Sequence, residues 1–205
     1  MPIDVNAEER LAQIAEATLR VVEKRGADGV TIRAVADEMG GSTTVVTNYI
    51  PTRTRLISNA VHHAIDGWDD ELAQQMEGVA PEDELRLLAR WSSSTTGDDP
   101  IIRQLFIELL AKAGDGEELD ALRKDGQEHR EHFRVAAAAA GVAEPDFAAD
   151  LMHLILRGFY LAAVEDPEHW STERVQPVVD HLIDLLVATP APAAAPARKR
   201  RRPRG

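Results

Sequence analysis

The chain has 205 residues, 44% of them hydrophobic and 28% charged. That length holds one small reading module and one larger domain with its own core, and that hydrophobic share argues against global disorder. The absence of cysteine rules out disulfide and thiol chemistry, and a net charge of −12 argues against long-range attraction to nucleic acid. The charge is unevenly laid out. Six of the 23 basic residues, Arg198, Lys199, Arg200, Arg201, Arg202 and Arg204, sit at the end of the chain, so residues 1–197 set seventeen bases against 35 acids. The polar start has no signal-like apolar segment, and no apolar run reads as long enough to span a bilayer. A cytoplasmic, nucleoid-associated protein without membrane contact is the expectation.

The elements read as helix after helix, an all-α fold. Asn6 and Glu9 form a capping box, and Leu11, Ile14, Ala15, Thr18, Leu19 and Val22 then trace one face to the stop at Gly26 and Gly29. Thr31 caps a second helix with Ile32, Val35, Ala36 and Met39. Gly40-Gly41 turns the chain, Ser42 caps a short third helix to about Tyr49, and Pro51 breaks it. Thr52 caps a long fourth helix carrying Ile57, Val61, Ile65, Trp68 and Leu72. Pro81, Asp99-Pro100, Glu117, Pro145 and Ser171 open five more. From Thr189 the chain turns to Pro-Ala repeats and then the basic cluster, a linker and a tail. Three segments follow: a DNA-binding unit over 1–51, a helical ligand-binding and dimerisation domain over 52–188, and a disordered linker and tail over 189–205.

Residues 32–51 carry the sharpest signal. Ala36 is small where a second helix crosses close. Gly40, four residues on, supplies the positive φ of a tight turn, and Val46, six further, drops an apolar side chain back onto the first helix. This is helix-turn-helix spacing, which lays its second helix in a major groove. The exposed residues there, Thr43, Thr44, Thr47, Asn48 and Tyr49, suit that task. Hydroxyls bond phosphates, a threonine methyl meets a thymine methyl, and asparagine reads adenine. An ordinary solvated helical hairpin is the competing reading.

The order Thr-Ile-Arg-x-Val-Ala, Gly, Ser-Thr-Thr, then Asn-Tyr-Ile-Pro-Thr-Arg-x-x-Leu closely resembles the tetracycline-repressor (TetR) family over about residues 8–60. The resemblance implies that Thr31, Thr43, Thr47, Asn48 and Tyr49 face DNA, and that Arg53 replaces a phosphate-binding lysine; Arg33, Ser42 and Thr44 complete the expected DNA contacts. Thr47 stands where the family commonly has tyrosine, and Thr43 where it has a basic residue. Both departures remove reach or charge. The stretch from Leu154 to Leu186, with Leu156-Arg157-Gly158-Phe159, resembles the choline-responsive (BetI-type) subgroup. The family likeness implies a homodimer through the last two helices, with Leu154, Leu161, Val178, Leu182 and Leu186 at the seam. It also implies a small-molecule effector enclosed by the helices before them.

Within the second domain, the apolar pattern of 145–165 predicts a helix buried on most sides. A polar stripe of Asp150, His153, Arg157 and Tyr160 interrupts it. The stripe is either a satisfied network at a dimer seam or a polar pocket wall completed by Trp68, Trp91, Phe106 and Phe133. Glu108, spaced four from Gln104 and Lys112, reads as part of a solvated stripe. Glu128, His129 and His132 have metal-like spacing, but without further ligand segments no metal or cofactor is expected. No phosphate loop, zinc-protease pair or nucleophile elbow is present, so a non-enzyme is expected. The reading is a ligand-responsive repressor acting on double-stranded DNA. Alternatives are a dimeric interaction protein, which the acidity favours, or a constitutive DNA binder. The tail is either a solvated end or a second DNA contact.

Overall fold

The computed structural model describes residues 7–94, 99–112 and 116–189. Asn6 of the expected capping box, the Pro-Ala linker from residue 190 and the basic tail lie outside the described residues. Within them the chain forms nine α-helices and no strand. They are α1 (Ala7–Arg25), α2 (Ile32–Glu38), α3 (Thr43–Thr47), α4 (Arg53–Met76), α5 (Pro81–Ser92), α6 (Asp99–Lys112), α7 (Glu117–Ala139), α8 (Pro145–Glu165) and α9 (Thr172–Ala188). A 3-10 turn over Ala27–Gly29 joins α1 to α2.

Local chemistry sets the boundaries. Thr31 caps α2 by accepting from the Ala34 N–H at 3.0 Å, and Thr52 caps α4 by accepting from the Arg55 N–H at 3.2 Å. Ser42 and Ser171 precede their helices without a side-chain cap bond, unlike the expectation for both. Pro81 and Pro145 sit in the first turns of α5 and α8, where the missing N–H costs nothing.

Two apolar clusters organise the packing. The first joins α1, α2 and α3 to the first half of α4, and also takes in Leu105 and Leu109 of α6 and Leu122 of α7. The reading head is therefore not walled off at residue 51; its core continues under α6 and α7. The second cluster joins α5, α7, α8 and α9 around Phe133, Met152, Leu156 and Ile183. Helix α4 runs through both, from Leu56 and Ile57 in the first to Leu72 in the second. At 24 residues it spans about 36 Å at 1.5 Å per residue.

Helix α8 corrects two expectations. It is not buried on most sides, because Phe147, Leu154 and Leu161 are all more than half exposed. Its 21 residues, with a mean hydropathy of 1.4 over an 18-residue window, are also long and apolar enough by length and composition to cross a membrane. The apolarity has a different source here. One side of α8 packs on the core through Ala148, Ala149, Met152, Leu156 and Phe159, and the opposite side is apolar and uncovered.

Candidate nucleic-acid interface and ligand cavity

The head is built around α2 and α3. Val35 and Val46 are wholly buried and Ala36 nearly so, which fixes the crossing of the two helices. The turn between them closes by Gly41 N–H donating to the Ala36 carbonyl at 2.9 Å, with Gly40 at φ 67°. A side chain at Gly40 would meet no neighbour, so the backbone angle alone asks for glycine there. Thr31, Arg33, Ser42, Thr43, Thr44, Thr47, Asn48 and Tyr49 are all exposed. They lie at the N-terminus of α2, along α3 and just before and beyond it. Lys24 and Arg20 of α1 hold Glu38 of α2 at 2.7 and 3.2 Å, which ties α2 back to α1.

Behind the head, Arg53 bolts three segments together. Its Nε donates to the Val30 carbonyl at 3.0 Å and its Nη2 to the Ala27 carbonyl at 2.7 Å, while Nη1 pairs with Glu108 of α6. Lys112 reaches the same carboxylate at 2.8 Å. The Arg53 guanidinium holds Glu108 below the usual carboxylate range against partial burial, and Lys112 adds to the effect. Arg55, two residues on and more exposed, pairs with Glu117 and Glu118 at the start of α7.

A cavity opens between α4, α5, α6, α8 and α9. Its outer chamber measures about 530 Å³ and is lined by Trp68, Glu71, Arg86, Arg90, Trp91, Arg103, Tyr160 and Gln176 among others. Trp68, Trp91, Arg103 and Tyr160 also border an inner chamber of about 70 Å³. Ile65, Asp69, Phe106, Asp125, His129 and Arg157 complete that inner wall. The Arg157 guanidinium lies 4.4 Å from the Phe106 ring centre, and Arg103 stands 4.7 and 5.0 Å from the centres of Phe159 and Tyr160. Behind Asp125, His62 Nε2 lies 3.2 Å away, and Ser58 offers its carbonyl to His62 Nδ1 at 2.6 Å. The Asp125 carboxylate raises the His62 pKa above its ordinary value, against the opposing effect of burial.

Two exposed apolar rows complete the geometry. On α8 they are Phe147, Leu154 and Leu161, with Gly158 facing open space between the last two; on α9 they are Val178 and Leu185. Both rows repeat at seven residues, the spacing of a helix-on-helix seam.

Comparison with known proteins agrees with this architecture. No protein-family profile matches the chain. The HTH-type transcriptional regulator PksA of Bacillus subtilis (strain 168) is 23% identical over 196 residues, covering 91% of this chain and 94% of that protein. Among solved structures, a TetR transcription regulator from Haloarcula marismortui superposes with a TM-score of 0.77 at 21% identity, over 87% of this chain and 98% of the other. A transcriptional regulator from Saccharomonospora viridis, solved with choline, gives 0.74 at 16% identity, over 87% and 97%. The fold is that of the TetR-family transcriptional regulators.

Within the TetR fold the anticipated residues separate into three outcomes. The eight head residues named above are all exposed. Arg53 does not stand free for phosphate, because all three of its nitrogens are engaged inside the protein. Glu108, in turn, is not part of a solvated stripe; its side chain is 14% exposed and grips Arg53. Of the cavity residues, Trp68, Trp91, Phe106, Arg157 and Tyr160 converge. Phe133 does not reach the space. It is wholly buried in the second core cluster, edge-on to His129 at 5.1 Å. His153 also lies outside the cavity lining, against Gly126 of α7, with its Nδ1 buried and unpaired.

The polar stripe of α8 divides: Arg157 and Tyr160 reach the cavity, while Asp150 is exposed and pairs with Arg130 of α7. Along the anticipated seam, Leu154, Leu161 and Val178 are exposed, Leu182 packs partly against the core, and Leu186 is buried at 8% exposure. Leu186 therefore belongs to the monomer's core, and Leu185 takes its place on the open side. Arg103, Asp69, Asp125 and His129 are cavity residues that sequence reasoning missed. Arg103 had a signal, since it lies three residues before Phe106 on one face of α6. Glu128, His129 and His132 do not converge. His129 turns inward, Glu128 reaches Lys124 at 3.4 Å and His132 is exposed.

His129 also sets a pH limit. Burial, then nearby Arg157, lowers its pKa from 6.5 to about 3. The unfolded chain therefore takes up the proton first as pH falls. Stability from this group is complete above pH 6.5 and lost progressively toward pH 3, with a slope of up to about 1.4 kcal/mol per pH unit. Replacing His129 with phenylalanine should flatten the acid limb of a denaturation-versus-pH curve over that window. An unchanged limb would place the acid sensitivity elsewhere.

Proposed function

We propose that the chain is a homodimeric DNA-binding transcriptional regulator, a repressor that a small molecule releases from its operator. One observation carries the reading: a single helix, α4, joins a helix-turn-helix head to an aromatic cavity. Thr31, Arg33, Ser42, Thr43, Thr44, Thr47, Asn48 and Tyr49 are the proposed DNA contacts. The exposed rows of α8 and α9 are the proposed seam, meeting a second copy about a two-fold axis and setting the heads roughly 35 Å apart, one turn of DNA. The reading assigns the protein no reaction and places it in the cytoplasm with its DNA.

The coupling path is short. Helix α6 carries Arg103 and Phe106 at the cavity and Glu108 at Arg53. A ligand that favours a shifted α6 disturbs the grip on Arg53 and, through it, the carbonyls at the entry to α2. Such a ligand acts only by its differential affinity for the two arrangements. Gel shift with the DNA upstream of the gene, across a salt series, tests the reading. Sequence-specific retardation that weakens with salt supports it; no specific retardation favours a dimeric interaction protein.

Two variants refine the assignment. Tyr49→Ala should weaken operator binding without lowering the melting temperature, since Tyr49 is 38% exposed and packs on no core. Asn48→Ala should relax preference at one base, at a cost of about 1–3 kcal/mol. If Asn48→Ala instead weakens every sequence equally, its role is phosphate contact.

The basic tail gives a separate expectation from charge alone. Deleting residues 190–205 removes six cations per chain, twelve per dimer, and leaves a strongly acidic protein. Folding and dimerisation should survive, while DNA affinity falls without loss of site preference and its salt dependence flattens. An unchanged salt slope would make the tail a solvated end.

The finer reading, membership of the choline-responsive subgroup, has support in the resemblance of 154–186 and in the choline-bound Saccharomonospora viridis structure. The charge of the cavity bears on that reading directly.

A further inference from the structure

We propose that the cavity takes an organic acid with an apolar body, its anionic group at Arg157 and its body passing between Trp68 and Trp91. The inference rests on the ligand-responsive reading above and names the chemistry of the effector.

A quaternary ammonium needs open aromatic faces and a negative field. Of the rings that border the inner chamber, Phe106 is covered by Arg157 and Tyr160 by Arg103. Two guanidiniums thus stand where a cationic ligand would stand. Asp125 is the acid whose field reaches Arg157. The Asp125 carboxylate faces His62 at 3.2 Å, and Asp69 lies on an exposed residue at the edge of the chamber.

Arg157 feels one carboxylate, Asp125, and that only through space. No ion pair or hydrogen bond joins it to any described residue, and its contact is the Phe106 face. It lies against bare backbone, with Nη2 3.4 Å from where a side chain on Gly126 would begin. Burial lowers its pKa, and Tyr160 and Asp125 oppose that shift only in part. A guanidinium fork offers two parallel donors to a carboxylate, the pairing that best offsets such a cost. The inner chamber, at about 70 Å³, fits a head group and little more, while the adjoining 530 Å³ chamber takes the rest of the molecule past the two tryptophans.

The test is fluorescence titration of the full-length protein. Trp68 and Trp91 line the cavity and report on it, and Trp170→Phe removes the remaining indole. Three probes share one ten-carbon chain: decanoate, decanol and decyltrimethylammonium, each below its micelle concentration. Decanoate should bind at least tenfold more tightly than the other two. Arg157→Met should abolish that preference while leaving decanol binding unchanged, and Arg157→Lys should restore part of it. Circular dichroism melting confirms that each variant is folded. If the ammonium binds as tightly as decanoate or more so, the charge assignment is overturned and ligand responsiveness stands. If none of the three binds, both fall. A carboxylate preference that survives Arg157→Met overturns the placement of the head group.

Discussion

Replacing Leu154 with aspartate is expected to turn the dimer into folded monomers that no longer hold operator DNA tightly. Leu154 is 68% exposed in the single chain, so the monomer's core does not register the change. In a two-fold seam the residue sits close to its own counterpart or its neighbours, and each substitution is present twice. A carboxylate buried there without a partner costs about 3–5 kcal/mol, which raises the dimer Kd by at least about a hundredfold. Gly158, one turn along and facing open space, lets a second helix approach closely at this level of α8. Leu186→Asp serves as the contrast: at 8% exposure it should unfold the chain rather than divide it. Light scattering at micromolar concentration, with melting curves on the same samples, separates the two. A Leu154→Asp protein that stays dimeric would place the seam on another face.

Arg53→Ala should lower stability by about 2–4 kcal/mol, a larger effect than that of any exposed head residue. The substitution strands the Ala27 and Val30 carbonyls and leaves Glu108 with only Lys112. Each lost charge-assisted bond contributes about 1–2 kcal/mol, and the half-buried carboxylate adds a desolvation cost. Glu108→Gln keeps both carbonyl bonds and should cost about 1 kcal/mol. Its more telling effect would be on coupling: operator affinity should change little, while release by ligand is blunted. Chemical denaturation and ligand-dependent gel shift measure both. If Arg53→Ala melts like the parent but loses DNA affinity with a reduced salt slope, the arginine contacts phosphate and its internal bonds are replaceable.

That reversal at Arg53 shows where sequence reasoning stops. Position and family likeness marked it as a phosphate contact, but its partners are two backbone carbonyls 23 and 26 residues earlier and an acid 55 residues later. Local spacing carries no information about them. The head itself was legible because its constraints are local: one small residue, one positive φ and one returning valine within eleven positions. The cavity was half legible. Aromatic positions on α4, α5, α6 and α8 converged as expected, but Phe133 and His153 point elsewhere, because helical periodicity does not say which neighbour a face meets. The same ambiguity separated Leu185 from Leu186. Helix α9 is apolar on two sides, and Val175, Val179, Ile183 and Leu186 line the side that meets the core.

A two-fold regulator that reads DNA through α3 should select one sequence from a random pool of duplexes. Full-length protein is incubated with the pool at physiological salt, and bound duplexes are recovered and sequenced over several rounds. The expected result is enrichment of one inverted repeat whose half-sites are centred about one helical turn apart. That enrichment should be lost in Leu154→Asp and altered at a single position in Asn48→Ala. Recovery of duplexes without a shared sequence, or of a single unrepeated site bound equally well by Leu154→Asp, would contradict it.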